Sequence, residues 1–209
     1  MSVLDTLSTH GIVPVVVLDD AADAAPLAEA LVAGGLPVAE ITFRTAAAQE
    51  SIRTMAARGD MIIGAGTVLT TTQVDLAAEA GATYIVSPGT SVAVVQRAQE
   101  HGLAVLPGAV TPTEIQAALE LGLDTVKFFP AGTYGGPAAL RALSAPFGGL
   151  KFVPTGGVSV DNLAEYLSVP AVTAVGGSWM VPPASIRAGH FAAVQQLTAE
   201  AVALVASLR

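Results

Sequence analysis

The sequence contains no cysteine, which removes disulfide frameworks and thiolate metal sites together. Charge is scarce too: Asp, Glu, Lys and Arg make up 12% of the 209 residues, and the balance is acidic at a formal −8. A nucleic-acid binder needs a basic stripe, so no nucleic-acid partner is expected. Long apolar runs are also missing. The longest, such as Ile12–Leu18, are strand-sized and far short of the roughly 20 residues a membrane-spanning helix needs, so no membrane partner is expected. The opening Met1-Ser2-Val3-Leu4-Asp5 lacks the basic and apolar regions of a secretory signal, and the expected location is the cytoplasm. There is no G-x-x-x-x-G-K-[ST] and no strand-linked G-x-G-x-x-G. His10, His101 and His190 have no metal-ligand spacing, so no metal and no cofactor are expected. Of the nine basic residues only Lys127 and Lys151 are lysines.

What the chain has is a hydrophobic content of 52% arranged with a period. Short β-rich runs occur at Ile12–Leu18, Pro37–Phe43, Met61–Gly64, Thr83–Ser87, Leu103–Pro107, Asp124–Pro130, Leu150–Thr155 and Ala171–Gly176. Helical stretches lie between them, including Ala21–Ala33, Ala46–Arg58, Thr72–Ala80, Val92–His101 and Pro112–Leu121, several followed by a glycine suited to a helix end. Thr111-Pro112-Thr113-Glu114 has the form of a capping box, and Ser159-Val160-Asp161-Asn162 is read as opening a helix to Leu167. Ser2–Thr9 reads as a short extra helix at the far end, and Phe191–Leu208 as a final amphipathic helix. Eight strand–helix units without a linker predict one α/β domain over residues 1–209, a parallel eight-stranded (β/α)8 TIM barrel. An open doubly wound sheet shares the local pattern. The barrel is favoured because polar residues end many strands instead of one glycine-rich turn.

Alternation along a strand puts Thr125, Lys127 and Phe129 on one face and the apolar Val126 and Phe128 on the other. Lys127 is therefore expected to face the interior, where an ammonium is costly and a neutral amine is a nucleophile for carbonyls. The same alternation turns Glu40 inward with Val38 and Thr42, and a carboxylate beside such an amine can shuttle protons. A structural ion pair accounts for the same two residues. Arg44, at the same parity about 13 Å further on, falls at the mouth, either as a carboxylate clamp or as a solvated rim residue. Thr155-Gly156-Gly157 and Gly176-Gly177-Ser178 follow the last two strands, where barrels hold phosphate on backbone N–H groups. Each glycine pair taken alone is most simply a turn.

Taken in order, Glu40-Ile41-Thr42-Phe43-Arg44-Thr45, Gly64-Ala65-Gly66-Thr67-Val68-Leu69, Ser87-Pro88-Gly89, Pro107-Gly108, Lys127-Phe128-Phe129-Pro130-Ala131, Pro154-Thr155-Gly156-Gly157 and Gly176-Gly177-Ser178-Trp179 form a specific set. The set resembles the class I 2-keto-3-deoxy-6-phosphogluconate (KDPG) aldolases, often also 4-hydroxy-2-oxoglutarate (KHG) aldolases, over essentially the whole chain. The resemblance implies a homotrimer of (β/α)8 barrels, with Lys127 as Schiff-base nucleophile and Glu40 as general acid/base. It further implies that Arg44 and Thr67 hold the pyruvyl carboxylate, that Pro88 and Phe129 shape its pocket, and that Gly156, Gly157 and Ser178 contact phosphate. The implied partners are small molecules: pyruvate, a phosphorylated aldehyde and a keto-deoxy sugar acid. The expected reaction is reversible cleavage of KDPG to pyruvate and D-glyceraldehyde 3-phosphate. Three alternatives stand beside it: an aldolase acting mainly on KHG or on the galactonate epimer, a non-catalytic anion-binding barrel with a structural Lys127–Glu40 pair, and a phosphosugar isomerase.

Overall fold

The computed structural model describes residues 2–209; residue 1 of the expected span lies outside them. Strands and helices alternate along these residues. The strands are β1 (Ile12–Val16), β2 (Val38–Thr42), β3 (Ile62–Gly66), β4 (Tyr84–Val86), β5 (Ala104–Leu106), β6 (Thr125–Phe128), β7 (Lys151–Pro154) and β8 (Val175–Gly177). The helices are α1 (Val3–His10), α2 (Ala24–Ala33), α3 (Ala48–Ala56), α4 (Thr71–Glu79), α5 (Val92–Glu100), α6 (Pro112–Glu120), α7 (Gly136–Ser144), α8 (Leu163–Leu167), α9 (Pro183–Arg187) and α10 (Phe191–Ser207). None of these helices is long and apolar enough to cross a membrane.

Six strands form one curled parallel sheet in the order β5-β4-β3-β2-β1-β8, and β6 and β7 form a second parallel pair. Isolated bridges join the pair to the larger sheet on both sides, Gly108 to Lys127 and Phe152 to Val172 with Thr155 to Gly176. The ladders are short where proline stands. Pro107 follows β5 and Pro154 ends β7, and a residue without an N–H cannot extend a ladder. Residues such as Ala39, Ile41, Val126 and Phe128 are fully buried on the convex side among helix residues including Leu27, Leu31, Ile52 and Met55. The rings of Phe128 and Phe152 meet edge to face there, with centroids 6.3 Å apart. Burying a Leu, Ile, Val, Phe or Met side chain there is worth about 1.5–3 kcal/mol, so this apolar layer carries most of the stabilisation.

The Thr111 capping box forms as expected, with Glu114 Oε2 accepting from the Thr111 N–H at 2.9 Å and Thr111 Oγ1 accepting from the Glu114 N–H at 3.3 Å. Four other features differ from the sequence expectation. The stretch Ala21–Ala33 is split into a 3-10 turn, Ala21–Asp23, and α2, because Asp20 caps the Ala22 N–H. No helix starts at Ser159. Asn162 bonds backward there, accepting from the Ser159 N–H at 2.9 Å and donating to the Gly157 carbonyl at 2.8 Å, so α8 begins only at Leu163. The β8 ladder begins at Val175 instead of Ala171, since the Val172 segment pairs with Phe152 of β7. Helices α7 and α9 had no assigned counterpart, although each carries a proline in its first turn. At the N-terminal ends of the strands α1 shares a small hollow with Asp124, Thr125 and Lys151, which puts the second lysine at the end opposite the βα loops.

Candidate active site

Lys127 and Glu40 project to the concave side from β6 and β2 and meet there. Lys127 Nζ donates to Glu40 Oε1 at 3.1 Å, with the two residues 6% and 3% exposed. The ammonium also lies 5.3 Å from the centroid of the Phe129 ring, a cation–π contact. Lys127 is held at the backbone as well: its N–H donates to the Pro107 carbonyl at 2.8 Å, and its carbonyl accepts from Ala109 at 2.9 Å. The nucleophile candidate thus stands on the bridge that joins β6 to the larger sheet.

Room for the pair comes from glycines on β3. A Cβ on Gly66 would lie 2.2 Å from Glu40 Oε1, and a Cβ on Gly64 would lie 2.2 Å from the Tyr84 ring. Tyr84 is fully buried beside Glu40. Loss of solvent, reinforced by the Glu40 charge, raises its phenol well above the ordinary range.

A cavity of about 210 Å³ opens at the C-terminal ends of the strands, lined by Arg44, Phe129, Thr155, Gly156, Gly157 and Ser178, with Val15, Val17 and Pro183 among the apolar walls. Five of the expected binding residues therefore share one space, and Phe129 connects it to the Lys127–Glu40 pair. Arg44 is exposed in the turn after β2 and is the one charged side chain on this lining. That turn is pinned by the Phe43 N–H on the Gly66 carbonyl at 2.7 Å. Gly156 and Gly157 take φ of +86° and +82°, a backbone that side-chain-bearing residues avoid. Among the described residues, the N–H groups of Gly157, Val158 and Ser178 have no intramolecular acceptor. Free N–H groups on a doubled glycine turn, facing one guanidinium, suit an anion.

Two expected residues lie off the lining of this cavity, Pro88 next to Gly108, which bridges to Lys127. Pro88 is exposed and lines a separate shallow depression with Leu69 and Ser91, and its carbonyl crowds Gly108, where a Cβ would lie 2.0 Å away. Thr67 follows β3 and borders neither space, but takes φ +56°, rare for a β-branched residue and costing about 1–3 kcal/mol. Thr155 went unassigned. It is 6% exposed, lines the cavity, and comes within 2.3 Å of where a Gly176 Cβ would be. Its signal was readable: it shares strand parity with Val153, which pairs with Lys127. His101 sits at the C-terminal end of α5 as expected, bonded to Asp75. Among the described residues no group of His, Asp or Glu is arranged to hold a metal.

The family model for KDPG and KHG aldolase matches residues 3–197. A 2-dehydro-3-deoxy-phosphogluconate aldolase of Treponema pallidum is 45% identical over 206 residues, covering 98% of each chain. Among solved structures, the KDPG aldolase of Zymomonas mobilis with 3-phosphoglycerate has a TM-score of 0.89 at 41% identity, covering 97% of this chain and 96% of that one. The KDPG aldolase of Legionella pneumophila, with pyruvate captured at low pH as a covalent carbinolamine intermediate, has a TM-score of 0.88 at 38% identity, covering 91% and 93%. The curled parallel sheet, the lysine–glutamate pair on its concave side and these matches agree: the chain belongs to the KDPG and KHG aldolase family.

Proposed function

We propose that this chain is a class I aldolase that reversibly cleaves KDPG to pyruvate and D-glyceraldehyde 3-phosphate through a Schiff base on Lys127. The observation that carries the reading is the buried Lys127 Nζ–Glu40 Oε1 contact of 3.1 Å beside the Arg44-lined cavity. The Lys127 amine adds to the C2 ketone, and Glu40 carries a proton from nitrogen to the carbinolamine oxygen. Water leaves, and the resulting iminium is the electron sink. The C4 hydroxyl proton passes to the Glu40 carboxylate as the C3–C4 bond breaks, and the bonding pair enters the iminium to give an enamine. Glyceraldehyde 3-phosphate departs, C3 is reprotonated, and water returns pyruvate and the free amine.

Arg44 and Thr67 hold the pyruvyl carboxylate, Phe129 and Pro88 bound the pyruvyl pocket, and Gly156, Gly157 and Ser178 take the phosphate. The working form is a single domain closed as a (β/α)8 barrel, assembled as a cytoplasmic homotrimer. The isolated bridges at both edges of β6–β7 support the closure. The Schiff-base route draws its electron sink from the lysine itself and needs no added cofactor. The carbinolamine held by the Legionella pneumophila relative supports the first step.

A second reading, KHG as main substrate, is favoured by one feature: no second cation joins the glycine turns on the cavity lining, so a carboxylate fits there as well as a phosphate. The ratio of kcat/KM for KDPG and KHG decides between them. For the chemistry itself, borohydride added with pyruvate is expected to fix a reduced adduct on Lys127, located by peptide mass spectrometry. Trapping at no lysine, or at Lys151, overturns the mechanism.

A further inference from the structure

Tyr84 is a buried phenol that the proposed reaction leaves unused. It stands on β4 in register with Gly64 of β3, which is in register with Glu40 of β2. Since Gly64 has no side chain, the Tyr84 ring lies across β3, in the place a Gly64 Cβ would need. The ring reaches β2, where the hydroxyl donates to the Ala39 carbonyl at 2.9 Å. That carbonyl belongs to the peptide group whose nitrogen is Glu40's own. Two residues further along β3, on the same face, Gly66 lets the Glu40 carboxylate lie against the strand. The two glycines thus admit two neighbours, the carboxylate itself and the phenol that grips its backbone.

We propose that Tyr84 is a positioning residue for Glu40: its hydrogen bond to the Ala39–Glu40 peptide fixes the plane from which the carboxylate reaches Lys127. The proposal rests on the reading of Glu40 as the proton carrier of a Schiff-base aldolase. A buried phenol kept protonated by desolvation and by the Glu40 charge remains a donor throughout the reaction. Without that donor the Ala39 carbonyl keeps only its partner in the β2–β3 ladder and the peptide can tilt, and a displaced proton carrier slows every proton transfer it serves. Carboxylate and phosphate binding are left alone, because the turn that carries Arg44 is pinned separately by the Phe43 N–H on the Gly66 carbonyl and the glycine turns lie at the ends of β7 and β8.

The test is Tyr84→Phe, which keeps the ring. Exchange of the pyruvate methyl protons in D2O is followed by NMR, with borohydride trapping and KM measured alongside. The expected result is exchange and kcat lowered about tenfold, with KM for pyruvate within about twofold and the end-point yield of trapped adduct unchanged. Thr198→Val, which removes a buried hydroxyl-to-carbonyl bond within α10, is the control for a purely structural loss and is expected to lower Tm without changing the exchange rate. A Tyr84→Phe enzyme with wild-type exchange overturns the proposal and leaves the aldolase reading intact. A wild-type enzyme that neither exchanges nor traps pyruvate overturns both.

Discussion

Two carboxylates hold basic partners in opposite surroundings. On the concave side Lys127 and Glu40 meet at 3.1 Å with almost no solvent; on the outer surface Asp75 of α4 takes Arg97 at 2.6 Å and His101 at 2.7 Å from α5, with a third or more of Asp75 and Arg97 exposed. The outer cluster uses flexible side chains that water would serve almost as well. The inner pair has given up hydration on both partners, and the attraction seldom repays that loss. A fold selected for stability alone has cheaper ways to fill that space. The difference supports the proposed chemical role of the inner pair and leaves the outer cluster to fasten two helices.

The largest expected effect comes from removing the inner pair altogether. Lys127→Met combined with Glu40→Leu replaces two desolvated charges by apolar side chains of similar size. Aldol activity is expected to fall by at least about 10⁴-fold, as when a covalent nucleophile is lost. Stability in urea is expected to hold or to rise by about 1–4 kcal/mol. A double variant that loses stability instead would make the pair structural and erase the contrast, which is the outcome the anion-binding alternative requires.

The contrast is partly legible in the sequence. Period-two alternation turned Lys127 and Glu40 to the same side because their outward neighbours, Val126, Phe128, Ala39 and Ile41, are all apolar. The same reasoning located the strands to within a few residues, since each is a short apolar run between turn signals. The reasons behind the glycines were not legible. Gly64 reads as the last residue of the run Met61–Gly64 and Gly66 as lying beyond it, yet both sit within β3, where Tyr84 and Glu40 come across from neighbouring strands. No local pattern reports a side chain arriving from 20 or more residues away. Thr67 is similar, since a threonine at positive φ is set by its surroundings and not by its own propensity. The split of the sheet into six strands and two follows from Pro107 and Pro154, whose missing donors matter only once the neighbouring strand is known.

Arg44 tests the contrast at an intermediate scale. It is exposed like the outer cluster but lines the same cavity as Phe129 and the glycine turns, and among the described residues it has no ion-pair partner. What sets Arg44 apart is its place as the one charged side chain on the cavity lining, where it can take an anion. Arg44→Ala is expected to raise KM for pyruvate about 10- to 100-fold, the worth of one charge-assisted bidentate contact, with kcat much less altered. Saturation kinetics with pyruvate in the exchange assay measure both. An unchanged KM would return Arg44 to the class of rim residues.

The smallest effect belongs to the outer cluster. Hydrogen bonds from Arg97, then from His101, hold the Asp75 carboxyl below the usual range. A group whose folded pKa is depressed stabilises the fold above its unfolded value, near 3.8, and that contribution is lost as pH falls through the lower folded value. Asp75→Asn is therefore expected to lower Tm by about a few degrees at most at pH 7, with the gap to wild type closing below about pH 4. The gap should also narrow in high salt, because exposed charges are screened. Aldol activity per folded molecule should be unchanged, since Asp75, Arg97 and His101 lie outside both the cavity lining and the Lys127–Glu40 contact. A loss of activity with Asp75→Asn would mean that the two regions are coupled, and the division between a chemical pair and a fastening pair would have to be redrawn.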